Sequence, residues 1–489
     1  MGVDMARDTA TSARASRSQL WVLALASAGS FIVVLDMLVV ATALTTIQRE
    51  LHASIADLEW TVNAYVLSCA VLLMTAAALG DRFGRRRVFA VGLGLFAAAS
   101  VACALASNVG ALIAARVVQG AGAAAVLPLA LALLNGAIPP QRRGWAMGIY
   151  GSVTGLSAVV GPVLGGAITQ GLAWQWIFWL NVPVAVVAIV LLFARVAEIR
   201  GPRAAIDGPG LALLTVAAFG LVWGLVRANA AGWESAEIVG SLGGGVVAVL
   251  VFALWERRAA EPMLPPRLFR SRGFTASGIA IFLLNAALTG AVFFTAQYFQ
   301  VADGQGPLGA GLRLLPWGIA PLLVAPRAGA LADRIGVRPL MVIGLAVHAA
   351  GLAWLALVAG PASGYLALVG PMVVAGIGFS LAVPAITTSV VSSVPQADVG
   401  KASGTYAMLR QLGGAFGVAV LAAVFARTGG YETATSFSDG FRTAMAVAGG
   451  LAIVGSATSV AVPRLRASTF ASVAPQPDRE PAGRASVRR

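Results

Sequence analysis

An aspartate and an arginine stand out because each is isolated in apolar sequence. Asp36 lies in Leu35-Asp36-Met37-Leu38-Val39-Val40-Ala41. Arg116 lies in Leu112-Ile113-Ala114-Ala115-Arg116-Val117-Val118-Gln119-Gly120-Ala121-Gly122. Asp36 is the only acidic residue away from the ends of an apolar run. Burial near the centre of a membrane helix costs an Asp about 2.5–3.5 kcal/mol, which makes it a functional candidate by default. Loss of water opposes the carboxylate's charge, and a nearby guanidinium favours it. If their separation or hydration changes, such a pair can take up a proton on one side and release it on the other. The plainer alternative is a static pair that joins two helices.

A second pattern occurs twice. Leu79-Gly80-Asp81-Arg82-Phe83-Gly84-Arg85-Arg86 recurs as Leu331-Ala332-Asp333-Arg334-Ile335-Gly336-Val337-Arg338. Gly84 and Gly336 allow a tight turn between helices. Asp81 and Asp333 can accept hydrogen bonds from arginine or from exposed helix N–H groups. Such turns can clasp helix ends in one state and release them in another. Alternatively, the arginines only set topology.

These residues need elements to hold them. The chain has 489 residues, 58% hydrophobic and 11% charged, with a net charge of +14. So few charges cannot cover a soluble surface, and so much apolar sequence excludes disorder. Fourteen apolar runs are long enough to span a bilayer: 20–46, 58–79, 88–106, 110–134, 144–170, 175–194, 209–226, 237–255, 274–300, 308–331, 339–359, 365–391, 403–426 and 441–462. This predicts an all-α polytopic membrane protein. With the N-terminus in the cytoplasm, 26 of the 34 Lys and Arg fall in inside segments and 5 in outside ones. The positive charge is therefore a topology signal, and nucleic acid is not an expected partner. On depth, Asp36 sits roughly 12 Å and Arg116 roughly 9 Å from the outer surface. They can meet if the first and fourth spans are neighbours.

The repeated turns follow spans 2 and 10, so eight spans separate them. A chain with this duplication resembles a major facilitator superfamily transporter, whose fold places such turns six spans apart. The two surplus spans and the total of fourteen resemble the EmrB/QacA-like branch of drug:proton antiporters. That resemblance implies two six-helix bundles, 20–194 and 274–462. It adds two helices with a cytoplasmic linker at 195–273, an N-terminal tail at 1–19 and a disordered tail at 463–489. It implies gating by Asp81, Arg82, Gly84, Arg85, Asp333, Arg334 and Gly336, and proton coupling by Asp36 and Arg116. The run Gly155-Leu156-Ser157-Ala158-Val159-Val160-Gly161-Pro162-Val163-Leu164-Gly165-Gly166 resembles the superfamily's antiporter motif. There Gly155, Gly161, Gly165 and Gly166 permit close helix contact, and Pro162 promotes a kink. Span 6 starts with Trp174-Gln175-Trp176-Ile177-Phe178-Trp179-Leu180-Asn181, and span 13 carries Leu409-Arg410-Gln411-Leu412-Gly413-Gly414; both resemble the same branch.

The expected function is export of a small lipophilic or cationic drug or antibiotic by alternating access, driven by the proton gradient without a cofactor. The expected location is the cell membrane, with both termini cytoplasmic and a monomer as functional unit. The alternatives are metabolite uptake and, in another class, a polytopic enzyme or receptor. Enzyme chemistry lacks its usual residues. His52 and His348 are the only histidines, and neither His-Glu-x-x-His nor Gly-x-Ser-x-Gly occurs. The sole lysine stands in Gly400-Lys401-Ala402, so no Walker A motif exists and an ATP-driven pump is disfavoured. Candidate pocket residues are Asn63, Tyr65, Asn285, Phe293, Gln297, Trp317, Phe379, Tyr406, Arg410 and Gln411. Trp60, Trp174, Trp176 and Trp233 are expected to form an interfacial belt. Arg327 should snorkel, and His348 should bond a neighbouring helix.

Overall fold

The computed structural model describes residues 2–201, 206–361, 363–395 and 398–463. The sequence reading of 463–489 as a disordered tail falls outside them from residue 464 onward. Among the described residues there are α-helices, one 3-10 turn and no strand. Backbone polar groups in lipid must be satisfied internally, and helices do this within each segment. The first half contains α1 (Gly2–Leu51), α2 (Ile55–Phe83), α3 (Arg85–Ala104), α4 (Val109–Ala137) and α5 (Pro140–Gly171). Its sixth crossing is a short α6 (Trp176–Trp179) running into α7 (Asn181–Arg195). A hairpin follows, α8 (Gly208–Ala231) and α9 (Ala236–Glu256). The second half contains α10 (Arg272–Val301), α11 (Pro307–Arg313), α12 (Leu315–Ile335), α13 (Val337–Val358), α14 (Tyr365–Ser392), α15 (Val399–Thr428) and α16 (Ala434–Ser459).

Among the described residues, thirteen crossings, with α6 and α7 taken as one, are long and apolar enough to traverse a bilayer. The remaining predicted run, 308–331, is divided between α11 and α12 at Leu314. Helix α1 extends through residues expected to be a polar tail, although its apolar span begins only at Ser18. Helix starts follow local chemistry. Ser54 and Asp57 make a reciprocal capping box on α2. Asn108 caps α4, accepting from Ala111 N–H at 2.9 Å.

The duplication is visible in the packing. Gly84 and Gly336, at equivalent turns, both have positive φ, 112° and 87°. In the first half α3 and α4 touch at Gly122, where a Cβ would lie 2.6 Å from Phe96 N. In the second half α13 and α14 touch at Gly344, where a Cβ would lie 2.6 Å from Ala382 N.

Two seams join the halves. Along one, α2 packs on α15, and Gln411 Nε2 donates to Cys69 Sγ at 3.6 Å. Helix α8 leans on both of these helices. Its Phe219 and Trp223 rings lie 5.6 Å from Trp60, and Asn229 donates to Ala423 O at 2.7 Å. Helix α9 lies outermost and presents Val246, Val247, Leu250 and Leu254.

The other seam is a wedge. Gly148, Gly155, Pro162 and Gly166 lie on one face of α5, since seven or eighteen residues make nearly whole turns. At the end of α5 far from the arginine-rich turns, Gly166 meets the Pro307 and Leu308 backbone, and Pro162 meets Gly311 of α11. Toward the arginine-rich end, a Cβ added at Gly148, Gly151 or Gly155 would meet nothing among the described residues within 4 Å. The far end is tied further by Thr45 of α1 donating to Gln300 of α10, and by Leu308 N–H donating to Gln170 Oε1 at 3.2 Å. This seam is therefore closed far from the arginine-rich turns and open beside them.

The tryptophan belt is only half present. Trp176 and Trp233 are exposed, but Trp60 and Trp174 are buried. Trp60 sits in its cluster with Phe219 and Trp223, and Trp174 Nε1 donates to Glu50 Oε2 at 2.8 Å. Partners on neighbouring elements drew both indoles inward.

Candidate functional site

Helices α1 and α4 are neighbours, and Arg116 donates to Asp36 Oδ2. Both side chains are about 1% exposed. The carboxylate has two further donors: Gln119 Nε2 at 2.9 Å and Asn181 Nδ2 at 2.7 Å, both on Oδ1. Arg116 also donates through Nε to Thr61 O at 3.1 Å and through NH1 to Gln119 Oε1 at 2.6 Å. Its guanidinium lies over the Tyr65 ring, 4.2 Å from the centroid. Ser100 Oγ accepts from Gln119 Nε2 at 2.9 Å. Five helices, α1, α2, α3, α4 and α7, thus contribute to one polar cluster around this carboxylate.

Ser100, Gln119 and Asn181 were not selected from sequence as site residues. Two signals could have found them. Gln119 follows Arg116 by three positions and so shares its face. Ser100 and Asn181 are polar residues in otherwise apolar crossings. Glu59 is a correction: it belongs inside α2 and is 4% exposed, so Asp36 is not the only buried membrane acid. It lies in the second helical turn, beyond reach of the solvated cap.

At the arginine-rich end, Asp81 Oδ1 accepts from Arg85 Nε at 2.8 Å. Arg85 also donates to Ala132 O at 3.2 Å. The turn is gripped by the strand-like segment after α7. Arg85 N–H donates to Ile199 O at 2.8 Å, Arg86 N–H to Glu198 Oε1 at 2.9 Å, and Arg86 NH1 to Val196 O at 2.8 Å. Asp81 therefore clasps its own half in this arrangement. Arg82 is exposed and lies over the Phe83 ring. In the repeat, Gly336 caps α13, while the side chains of Asp333 and Arg334 lie outside the described residues.

A Cβ on Gly84 would stand 2.6 Å from the Glu198 carboxyl carbon, and its φ of 112° disfavours any L side chain. Gly84→Ala should cost about 1–3 kcal/mol from backbone strain alone. The expected result is a lowered thermal unfolding midpoint for the purified protein. An unchanged midpoint would contradict the clasp.

The antiporter-like run serves two contacts. Gly161 and Gly165 pack against α1, where a Cβ on Gly165 would approach Thr42 Oγ1 to 2.6 Å. Pro162 and Gly166 pack on α11, whereas Gly155 faces open space.

Among the described residues, none of the proposed pocket residues hydrogen-bonds or stacks on another. Tyr65 belongs to the Asp36 cluster and donates to Val33 O at 3.0 Å. Asn285 Nδ2 bonds its own helix at Ile281 O, and Phe293 packs edge-on to Phe294. Gln297 accepts from Tyr431, and Gln411 bonds Cys69. Trp317 and Asn63 are buried with unpartnered polar atoms. Phe379 stands beside His348, and Tyr406 accepts from Thr387 at 3.0 Å. Arg410 is exposed. His348 Nδ1 bonds Ala375 O of α14 at 2.8 Å, as expected of a helix-joining histidine. Arg327 donates to Leu323 O in its own helix. A separate apolar groove of about 630 Å³ runs between α1 and α5, lined by Leu20, Leu23, Phe31, Trp145, Ile149 and Val153 among others. It includes none of the proposed pocket residues.

The sequence model described as Major Facilitator Superfamily matches residues 26–418 and again 279–485. The Tetracenomycin C resistance and export protein of Streptomyces glaucescens is 37% identical over 420 residues, spanning 85% of this chain and 78% of that protein. The Cephamycin export protein CmcT of Amycolatopsis lactamdurans is 36% identical over 412 residues, spanning 82% and 84%. In three dimensions the chain is similar to a D-xylose-proton symporter, with a TM-score of 0.65 at 16% identity over 90% of this chain and 97% of that one. At that identity the likeness concerns the fold.

Proposed function

The chain belongs to the major facilitator superfamily, and from that premise we propose that it exports a small drug or antibiotic in exchange for protons. The relatives named for tetracenomycin C and cephamycin export support the direction and the class of cargo. The observation that carries the proton coupling is the Asp36 carboxylate, buried on Arg116, Gln119 and Asn181. Protonation removes the charge that Arg116 answers. The guanidinium then keeps Thr61 O, Gln119 Oε1 and the Tyr65 ring, so α1 is free to shift against α4 and α7. Proton uptake from outside and release inside would drive cargo outward. The functional unit is a monomer in the cell membrane.

The arginine bias of the turns supports an orientation with both termini cytoplasmic. The wedge beside α5 is then open to the cytoplasm and closed outside. That is the arrangement in which an exporter collects its cargo. The apolar groove between α1 and α5 suits lipophilic compounds.

Gly166→Val tests the closed seam. Its added carbons would press on the Pro307 and Leu308 backbone. Overpacking of about 1–3 kcal/mol shifts a two-state balance by about 5–150-fold. An Ala310→Cys reporter, buried on α11 in the closed form, should then react faster with an impermeant thiol reagent applied outside, and export should fall. Equal reactivity with and without Gly166→Val would refute the closure. The function itself is tested by efflux of a compound panel from proteoliposomes with and without a pH gradient. Transport that needs ATP and ignores the gradient would reject the proposal.

A further inference from the structure

Glu59 stands in the second turn of α2, at the closed end of the bundle. It is 4% exposed, and its Oε2 is buried without a hydrogen-bond partner. Among the described residues no Lys or Arg comes within ion-pair distance of it. Asn63, one turn further along the same face, is fully buried, and neither amide atom has a partner.

Tyr431, in the loop between α15 and α16, lies within electrostatic range of Glu59. The Tyr431 hydroxyl donates to Gln297 of α10. Burial, and then Glu59, push the Tyr431 phenol above its ordinary range, so it stays neutral. The charged groups of the adjoining elements are engaged elsewhere or face water. Asp57 serves the α2 cap, Arg227 pairs with Glu237, and Glu50 accepts from Trp174. Arg49, Arg427 and Glu432 are exposed.

A lone carboxylate is costly to bury without a cation or donors, whereas a neutral carboxyl is not. When this end of the bundle opens to water, the anion is stable again. We propose that Glu59 is a second proton-binding site, and that the outer end closes only after Glu59 has taken a proton from the water on that side. One proton passes from external water to one Glu59 oxygen, and no other bond changes. The inference rests on the proton-coupled reading above and adds a condition to it: the outward-open form cannot close unprotonated.

The test uses the full-length protein in nanodiscs. Spin labels are placed at His52→Cys and Pro361→Cys, on outer turns of the two halves; the native cysteines are buried. The outer-closed population should rise as pH falls, by up to about tenfold per pH unit for one proton. Glu59→Gln, neutral at every pH, should remain closed throughout. In an Asp36→Asn background the dependence should persist while Glu59 is present and vanish with Glu59→Gln. A Glu59→Gln protein that still titrates would place the dependence on another group, and one that rests open would show that closure needs the anion; either overturns the inference, as does a parent protein whose closure ignores pH. Gradient-driven transport is measured on the same variants. Closure that titrates through Glu59 without such transport supports the lock and removes the antiport reading. Transport with closure insensitive to Glu59 does the reverse.

Discussion

Asp36→Asn should abolish gradient-driven export while leaving the protein folded. Asn keeps the shape of the side chain and one carbonyl oxygen to accept from Arg116. It cannot carry a proton between the two sides. Gln119 and Asn181 each lose a charged acceptor, and hydrogen bonds to charged groups are worth about 1.5–3 kcal/mol. That loss is offset because a buried anion no longer has to be kept from water. The measurement is substrate-driven proton release from proteoliposomes, together with cargo flux under an imposed pH gradient. Proton release and flux should both fall to the level of empty vesicles. Downhill cargo exchange without a gradient should survive, which separates lost coupling from lost binding. Coupling that persists in Asp36→Asn would make the pair a static helix joint.

Arg116→Ala should have the largest effect on stability, about 3–5 kcal/mol, because it strands a buried carboxylate. The loss extends past one ion pair. Thr61 O and Gln119 Oε1 each lose a charged donor, and the Tyr65 ring loses its cation. Arg116→Lys should recover only part of this, since an ammonium cannot span Asp36, Thr61 and Gln119 with a planar fork. The double variant Asp36→Asn/Arg116→Ala should be more stable than Arg116→Ala alone. Residues in one network typically couple by about 0.5–3 kcal/mol. Unfolding midpoints of the four proteins in detergent would measure this, and strict additivity would contradict the cluster.

Much of the site was legible before folding. Asp36 and Arg116 were marked by cost, since a charge in an apolar run is rarely idle. The estimated depths agreed well enough to suggest a meeting. The supporting residues were not legible, because a single Ser, Gln or Asn in a membrane helix has many uses. Only convergence of α3, α4 and α7 on α1 gave Ser100, Gln119 and Asn181 a common target. Glu59 was misjudged for a related reason. Its position near a helix start reads as solvated, yet the fold leaves it 4% exposed. The pocket residues were chosen by type alone, and type does not say which way a side chain turns. Asn285, for instance, bonds back to its own helix.

Sequence by itself determined the helical membrane architecture, the duplicated turns, the direction of the charge bias and the two residues at the centre of the site. Each rests on a local property: apolar length, a repeated motif, a charge in the wrong solvent. The tertiary structure decided the rest. It placed α8 against the α2–α15 seam, and it turned Asp81 toward its own half. It closed α5 on α11 at one end and left it open at the other. Those outcomes depend on which surfaces meet across hundreds of residues. In lipid, where apolar faces gain little from hiding, close packing and polar contacts choose the partners.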